Sequence, residues 1–468
     1  MTTENGLIIT PVTGGETRSY VTNPNEWMGN VHAETDPVTG GISYLTAGSS
    51  KIRVAGQKAC GTGWPMGVMG TASLGGNCHQ ESIVVPFDYD AVEIAILHTG
   101  ASAGGQHQMI VSSSETLAAL TNDPVMFGQT VGATMTAPNY PGWQKVTWSG
   151  TWNSPVIAAP GAGVIGYTAW SDAISVPSVK RTDSGVGRVF MMRDYLTGAT
   201  QSRFTASPST EYTAWTEVLA LAQGCEYAFS VAYLKAGDYV TNPSGFTGAT
   251  PARTSTVPGH VKRFLCNGNY VPSVMFVGDS RMSTNGATVT TLNSGYNEHS
   301  SVPHKCITQM ARRGLPFAMQ QCGWSGGTSA QYSGAALTMI PALAPTFVAY
   351  MLHTVNDTAG DDFDSAIIDA QLATAATVKT ATEAAGGIFI PVCAFPYGSA
   401  LSAGQLIQRA RLVSYASSCG AYVDPAALMG QAGGTWRSDV PNDGTHGATL
   451  ARDIVAAEIA RAIQYDLR

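Results

Sequence analysis

Four short polar stretches of the chain carry side chains able to do acyl-transfer chemistry. They are Gly278-Asp279-Ser280, Gly323-Trp324-Ser325-Gly326, Thr354-Val355-Asn356-Asp357 and Asp443-Gly444-Thr445-His446. Alone, each is ordinary: Gly-Asp-Ser is a common turn, and Asn-Asp after an apolar run commonly caps a turn or helix. The chemistry needs them together. A serine hydroxyl is a poor nucleophile at neutral pH unless a base lies within hydrogen-bond reach. An imidazole can be that base, and a carboxylate must hold its tautomer and stabilise the cation that forms. Asp443 and His446, three residues apart, can face one cleft from a single loop, with Ser280 arriving from far along the chain. The oxygen of an ester carbonyl becomes negative during attack and needs preorganised donors. The backbone N–H of Ser280, the N–H of Gly326 and the side-chain amide of Asn356 are the candidates, glycine being suited because it has no Cβ.

The elements that must position these residues follow from periodicity. From about residue 270 the chain alternates apolar strand candidates with helical ones. The strands are SVMFV (273–277), PFAMQQC (316–322), TFVAYML (346–352), GGIFIPVCAF (386–395) and a weaker AYV (421–423). Helices are expected over 328–340, 361–387, 402–420 and about 447–467, two of them ending on glycine stop signals at Gly386-Gly387 and Gly420. Such alternation predicts a parallel sheet covered by helices on both sides, with ligands bound beyond the carboxyl ends of its strands. Three of the four polar stretches fall at those ends, and the fourth precedes the last helix. Residues 1 to about 265 read differently. Runs such as DYDAVEIAILHTG (88–100), GWQKVTWSGTW (142–152), GRVFMMRDYL (187–196) and CEYAFSVAYL (225–234) are short and rich in aromatic and branched residues. We expect a Gly-rich arm over 1–80, a jelly-roll-like β-sandwich over 81–268 and the α/β domain over 269–468.

The order of the four stretches resembles the SGNH hydrolase family, the GDSL esterases and lipases. Gly278-Asp279-Ser280 is similar to its first block and Gly323-Trp324-Ser325-Gly326 to its second. TVND resembles the third, G-x-N-D, and Asp443-Gly-Thr-His446 the last, D-x-x-H. The resemblance covers about 270 to 468 and implies a three-layer α/β/α, flavodoxin-like domain. It implies Ser280 as nucleophile, His446 as base, Asp443 as its partner, and Ser280, Gly326 and Asn356 as the oxyanion hole, with no metal and no organic cofactor. Two positions depart from the pattern. Arg281 and Met282 replace the leucine after the serine, and Thr354 stands where the third block has glycine, which would crowd Asn356 or reshape the acyl pocket. Arg281, Trp324, His353, Thr354 and Trp436 are assigned to the substrate pocket, with Trp324 and Trp436 open to a core role as well. Asp279 and Asp357 read as local caps.

Composition narrows the partner. Only 12% of residues are charged, about half the usual ~25%. The net charge of −7 and the lack of any Lys/Arg cluster argue against nucleic acid. Polarity carried by neutral groups suits an acylated carbohydrate, so short acyl groups on a glycan are the expected substrate. No stretch is long and apolar enough to span a membrane. The opening MTTENGLIITPVTGG lacks the regions of a signal peptide. That leaves an extracellular or virion-associated setting as the expectation, for example a phage tail deacetylase. Eight cysteines without a C-x-x-C pair give no metal spacing. Cys322 and Cys393 read as buried thiols, with Cys60–Cys78 and Cys225–Cys266 as possible disulfides. His299, His304 and Cys306 read as a solvated loop rather than a ligand set. Two alternatives stay open: Gly-Trp-Ser-Gly-Gly also fits the nucleophile elbow of α/β-hydrolases, which would make Ser325 the nucleophile, and a glycan-binding adhesin or virion protein could carry an inactive hydrolase domain.

Overall fold

The computed structural model describes residues 76–79, 89–111, 144–175, 190–197, 237–241, 259–265, 272–282, 301–310, 317–357 and 361–463 in side-chain detail, a few single positions excepted, and elsewhere chiefly the backbone of strands and helix ends. The fold is mixed α/β with a parallel sheet. Its elements used below are β1 (Lys58–Gly63), β2 (Asn77–Val85), β3 (Tyr89–Gly100), β4 (His107–Ser114), β5 (Gly161–Tyr167), β6 (Arg188–Leu196), β7 (Gly259–Cys266), β8 (Ser273–Gly278), α1 (Val302–Arg312), β9 (Ala318–Gly323), α2 (Ser329–Leu343), β10 (Phe347–Met351), α3 (Ser365–Ala384), β11 (Ile388–Val392), α4 (Ala403–Ser418) and α5 (Thr449–Leu467).

The parallel part runs β9-β8-β10-β11, with Val423 adding a bridge beside Val392. Chain order 2-1-3-4 means that the chain leaves β8 for one neighbour and later returns to the other side, which opens a crevice at the carboxyl end of β8. Both faces of the sheet are covered, which is why its strands are continuous apolar runs instead of alternating ones. Val274 and Phe276 of β8 face a core shared with Ile307 and Met310 of α1 and Val455 and Ile459 of α5. Met275 and Val277 face Tyr332 and Met339 of α2, Ile368 and Ala375 of α3, and Leu412 of α4. Burial of each such aliphatic or aromatic side chain is worth about 1.5–3 kcal/mol.

Helix ends follow local chemistry. Thr328 with Gln331 and Ser402 with Gln405 form capping boxes at the starts of α2 and α4, and Asp364 caps α3. The glycine stops lie where the sequence placed them: Gly386 and Gly420 have φ of +75° and +107°, just past α3 and α4.

Among the described residues, the strands before β8 pair with one another antiparallel. β4, β6 and β2 lie side by side in a seven-stranded sheet. β3 and β7 pair in a second sheet, flanked by β5 and β1. The facing sides meet, with the rings of Phe190 and Phe264 edge to face at 5.5 Å. The second sheet continues into the parallel part. β1 pairs parallel to β9 at Gly63 and Gln320, so one nine-stranded sheet joins the antiparallel and parallel parts. Much of the period-two run 225–234 lies outside the described residues, although Ala228–Phe229 and Tyr233–Ala236 both pair with β2. No helix among the described residues is long and apolar enough to cross a membrane.

Cys322 and Cys393 are buried free thiols, and burial pushes the Cys322 thiol up to about 12. Cys78 is also buried and is not disulfide-bonded, so the Cys60–Cys78 disulfide is not formed; Cys225 lies outside the described residues.

Gly278, the last residue of β8, tests how tightly the following turn is folded. A Cβ there would lie 2.8 Å from Met282 Cγ and 2.9 Å from Met351 Cβ. Gly278→Ala should cost about 1–3 kcal/mol, by analogy with overpacked cores, read as a lower urea midpoint with unchanged slope. An unchanged midpoint would mean that the turn has room to yield.

Candidate active site

β8 ends in a tight turn, Asp279 to Met282, closed by Met282 N–H donating to Asp279 O at 3.0 Å. Asp279 is fully buried. Its carboxylate accepts the backbone N–H of Arg281 (2.8 Å), the Arg281 guanidinium (Nη2 at 2.7 Å) and the hydroxyl of Thr354 (2.8 Å). Burial alone would raise its pKa, but the Arg281 charge and these bonds outweigh burial and hold the carboxyl below its ordinary value. Arg281 also reaches His353 O (3.4 Å), with its guanidinium over the Phe395 ring. The turn that presents Ser280 is thus clamped to the loop after β10.

Ser280 Oγ lies 2.9 Å from His446 Nε2, and His446 Nδ1 lies 3.0 Å from Asp443 Oδ2. A carboxylate only accepts, so Nδ1 carries the ring proton and Nε2 offers its lone pair to the serine hydroxyl. Asp443 Oδ1 accepts the backbone N–H of His446 (2.6 Å) and Thr445 (2.9 Å). Burial acts to raise this carboxyl, yet the His446 and Thr445 amides and the imidazole together hold it below the usual range. The loop docks through Trp436, buried, whose indole N–H donates to Gly444 O at 3.1 Å.

The other stretches come to the same sheet edge. Trp324 N–H donates to Gly278 O (2.8 Å), which fixes the loop after β9 beside the Ser280 turn. Gly326 is exposed with φ +70°, and Trp324 is buried in the core against α2. Asn356, on a short 3-10 turn after β10, donates from Nδ2 to Gly327 O (3.1 Å) and so ties the two loops together. Thr354 is buried, its hydroxyl donating to Asp279 and accepting from Asn356 N–H (3.2 Å). At the position of the family's glycine, threonine therefore acts as a hydrogen-bonded link. Ser325 and His299 lie outside the described residues, as does the side chain of His304; Cys306 is buried in α1.

His353 is no second base. Nδ1 donates to Gln371 Oε1 (2.8 Å), Nε2 accepts from Tyr397 OH (2.8 Å), and burial pushes its pKa down to about 4. Asp357 is a clamp, accepting Ser329 N–H at the start of α2 (2.7 Å) and Gln371 Nε2 (2.7 Å). Gln371, which the sequence reading missed, also donates to Thr354 O at 3.2 Å. A small crevice beside the Ser280–His446 pair is lined by Arg281, Val302, Phe395, Gly447, Ala451 and Arg452. Phe395 carries a signal in the sequence, since it closes the apolar run GGIFIPVCAF at the carboxyl end of a strand.

The geometry defines a class, an α/β protein with a serine–histidine–aspartate hydrogen-bonded chain at the carboxyl edge of a parallel sheet. No protein-family model matches the sequence, and no curated protein does. Solved structures similar to it are SGNH/GDSL hydrolases and carbohydrate esterases. A mutant of an acetyl-xylooligosaccharide esterase from Geobacillus Stearmophilus is 16% identical, covering 41% of this chain and 95% of its own, TM-score 0.34. A GDSL-like lipase from Bacteroides thetaiotaomicron is 18% identical, covering 42% and 88%, TM-score 0.30. A family two carbohydrate esterase from Clostridium thermocellum, in complex with cellohexaose, is 10% identical, covering 85% and 99%, TM-score 0.35.

Asp279→Asn strands the buried Arg281 guanidinium and should cost about 3–5 kcal/mol at pH 7 in denaturant unfolding. The folded carboxyl titrates below its unfolded value near ~3.9, so its contribution is complete above that pH and is lost as pH falls through the folded pKa. The stabilities of wild type and variant should converge in acid; a constant gap down to unfolding would rule out the ion pair as the cause.

Proposed function

We propose that this chain is a serine esterase acting through an acyl-serine intermediate. One observation carries the reading: Ser280 Oγ sits 2.9 Å from His446 Nε2 while the other ring nitrogen is held by Asp443. Ser280 Oγ attacks the ester carbonyl carbon as its proton passes to His446 Nε2. The imidazolium, stabilised by Asp443, returns that proton to the departing alkoxide, and the C–O bond to the alcohol breaks. A water, deprotonated by the same nitrogen, then cleaves the acyl-serine and restores the hydroxyl. The developing oxyanion is met by the N–H groups of Ser280 and Gly326 and by Asn356. An amide carries two N–H bonds; in Asn356 one is spent on Gly327 O, and the other serves the substrate.

The substrate we favour is a short O-acyl group, acetyl first, on a carbohydrate. The crevice beside the pair is small and walled by the apolar side chains of Val302, Phe395 and Ala451, and the polarity of the chain is mostly uncharged. In this reading residues 269–468 form the catalytic domain. The antiparallel sheets before them are a jelly-roll-like sandwich module that holds the glycan, and the setting is extracellular or virion-associated.

Ser280→Ala should lower kcat/KM for p-nitrophenyl acetate by about 10⁶-fold or to the assay floor, and Ser325→Ala should leave it within a few-fold. Loss on Ser325→Ala with retention on Ser280→Ala would assign the elbow serine instead. Turnover by neither protein, with no phosphonate labelling of wild type, would favour a glycan-binding protein. Acetate release across acetylated polysaccharides tests the substrate. Asn356→Ala should reduce kcat by about 10²–10³-fold with KM little changed; a change confined to KM would remove Asn356 from the oxyanion hole.

A further inference from the structure

A second cluster of reactive side chains lies outside this site, between the two antiparallel sheets. His107 Nδ1 lies 2.7 Å and His260 Nε2 2.9 Å from the same oxygen, Asp194 Oδ2. His107 is on β4 and Asp194 on β6 of one sheet; His260 is on β7 of the other. All three are at most 1% exposed. His79 on β2 sits directly opposite Asp194 in the strand register, is equally buried, and stacks on His260 with ring centroids 5.9 Å apart. Neither ring nitrogen of His79 has a hydrogen-bond partner among the described residues. A buried donor or acceptor left unmatched costs about 1–3 kcal/mol, so a fourth buried histidine beside a His-Asp-His set needs a reason. A metal ion supplies one.

We propose that His107, Asp194 and His260, completed by His79, bind a structural zinc ion that pins the two sheets together. The donor set decides the metal. Three imidazole nitrogens and one carboxylate oxygen suit a tetrahedral borderline-soft ion, whereas magnesium and calcium select oxygen. Burial decides the role: a catalytic ion needs an open coordination position, and these ligands are at most 1% exposed. Tetrahedral bonds of ~2.0–2.1 Å place ligand atoms about 3.3 Å apart, so the two nitrogens, now 2.7 and 2.9 Å from Asp194 Oδ2, would move off that oxygen by about half an ångström and His79 would rotate toward Asp194. Each imidazole would face the ion through a lone pair, its proton on the other ring nitrogen. The chain separations, 87 residues from His107 to Asp194 and 66 on to His260, explain why no local spacing announced the set.

The test uses the full chain. Protein purified from zinc-supplemented medium and dialysed should retain one zinc per chain by elemental analysis, and chelator-stripped protein should melt at lower temperature and recover on adding zinc chloride. His79→Leu keeps the Asp194 hydrogen bonds and should fold, with zinc affinity lowered by at least about 10- to 100-fold, the loss that even an outer-shell partner costs. Ser280→Ala should retain the metal unchanged. Substoichiometric zinc in wild type together with a melting temperature indifferent to zinc and chelator would overturn the proposal, as would His79→Leu binding zinc as tightly as wild type.

Discussion

The buried carboxylate of Asp279 is the constraint on which the site depends. Taking a carboxylate out of water costs several kcal/mol unless charge and hydrogen bonds replace the lost solvent. Here they come from two distances along the chain. Arg281, two residues on, supplies the charge and a backbone N–H; Thr354, 75 residues on, supplies a hydroxyl. Satisfying the first makes the turn tight, and satisfying the second fastens that turn to the loop after β10. Ser280 sits between the two members of the ion pair, and its own side chain is left to point outward. Gln371 extends the clamp, bonding His353, Thr354 and Asp357 from one side chain, while Asp357 carries it on to the first N–H of α2. The loops after β8, β9 and β10 are therefore one hydrogen-bonded body.

The carboxylate of Asp443 is managed in the opposite way. It is about a third exposed and is satisfied almost wholly by its own loop, through the amides of Thr445 and His446 and the His446 ring. Asp443 and His446 thus move as a unit, and the Ser280–His446 distance depends on how that unit docks. Glycines permit the docking. A Cβ on Gly447 would fall 3.1 Å from the Trp436 ring and 2.2 Å from Ala451, and one on Gly398 would meet the Gly444 backbone at 3.0 Å. The tryptophan that the sequence left between pocket and core holds this loop from beneath.

How much was legible follows from where each signal lies. The strands of the parallel sheet are readable because burial on both faces makes them unbroken apolar runs, and the helix ends because Ser402, Asp364 and Gly420 act on neighbouring residues. Ser280, Asp443 and His446 stand out by residue type and order. Gln371 does not: a glutamine in an alanine-rich helix reads as a solvent-facing residue until the fold turns it inward, where it is fully buried. The pairing of Gly63 with Gln320 is equally silent, because a sheet joined across more than half of the chain leaves no local pattern. Thr354 could be placed but not interpreted, since its value depends on having Asp279 on one side and the Asn356 amide on the other.

The two histidines at this sheet edge show why residue type alone does not choose a base. His353 is the nearer in sequence to the oxyanion candidate Asn356, yet both of its nitrogens are occupied, by Gln371 and Tyr397, and burial among neutral partners drives its pKa to about 4. Taking a proton there would place a cation in a region already holding Arg281. His446 has one nitrogen fixed by a carboxylate and the other directed at a hydroxyl, in a half-exposed position bordering a crevice. General-base chemistry requires a group that can change charge during the reaction and that touches what it deprotonates. Only the second environment meets both conditions, and it does so because Asp443 lies where an imidazolium would form.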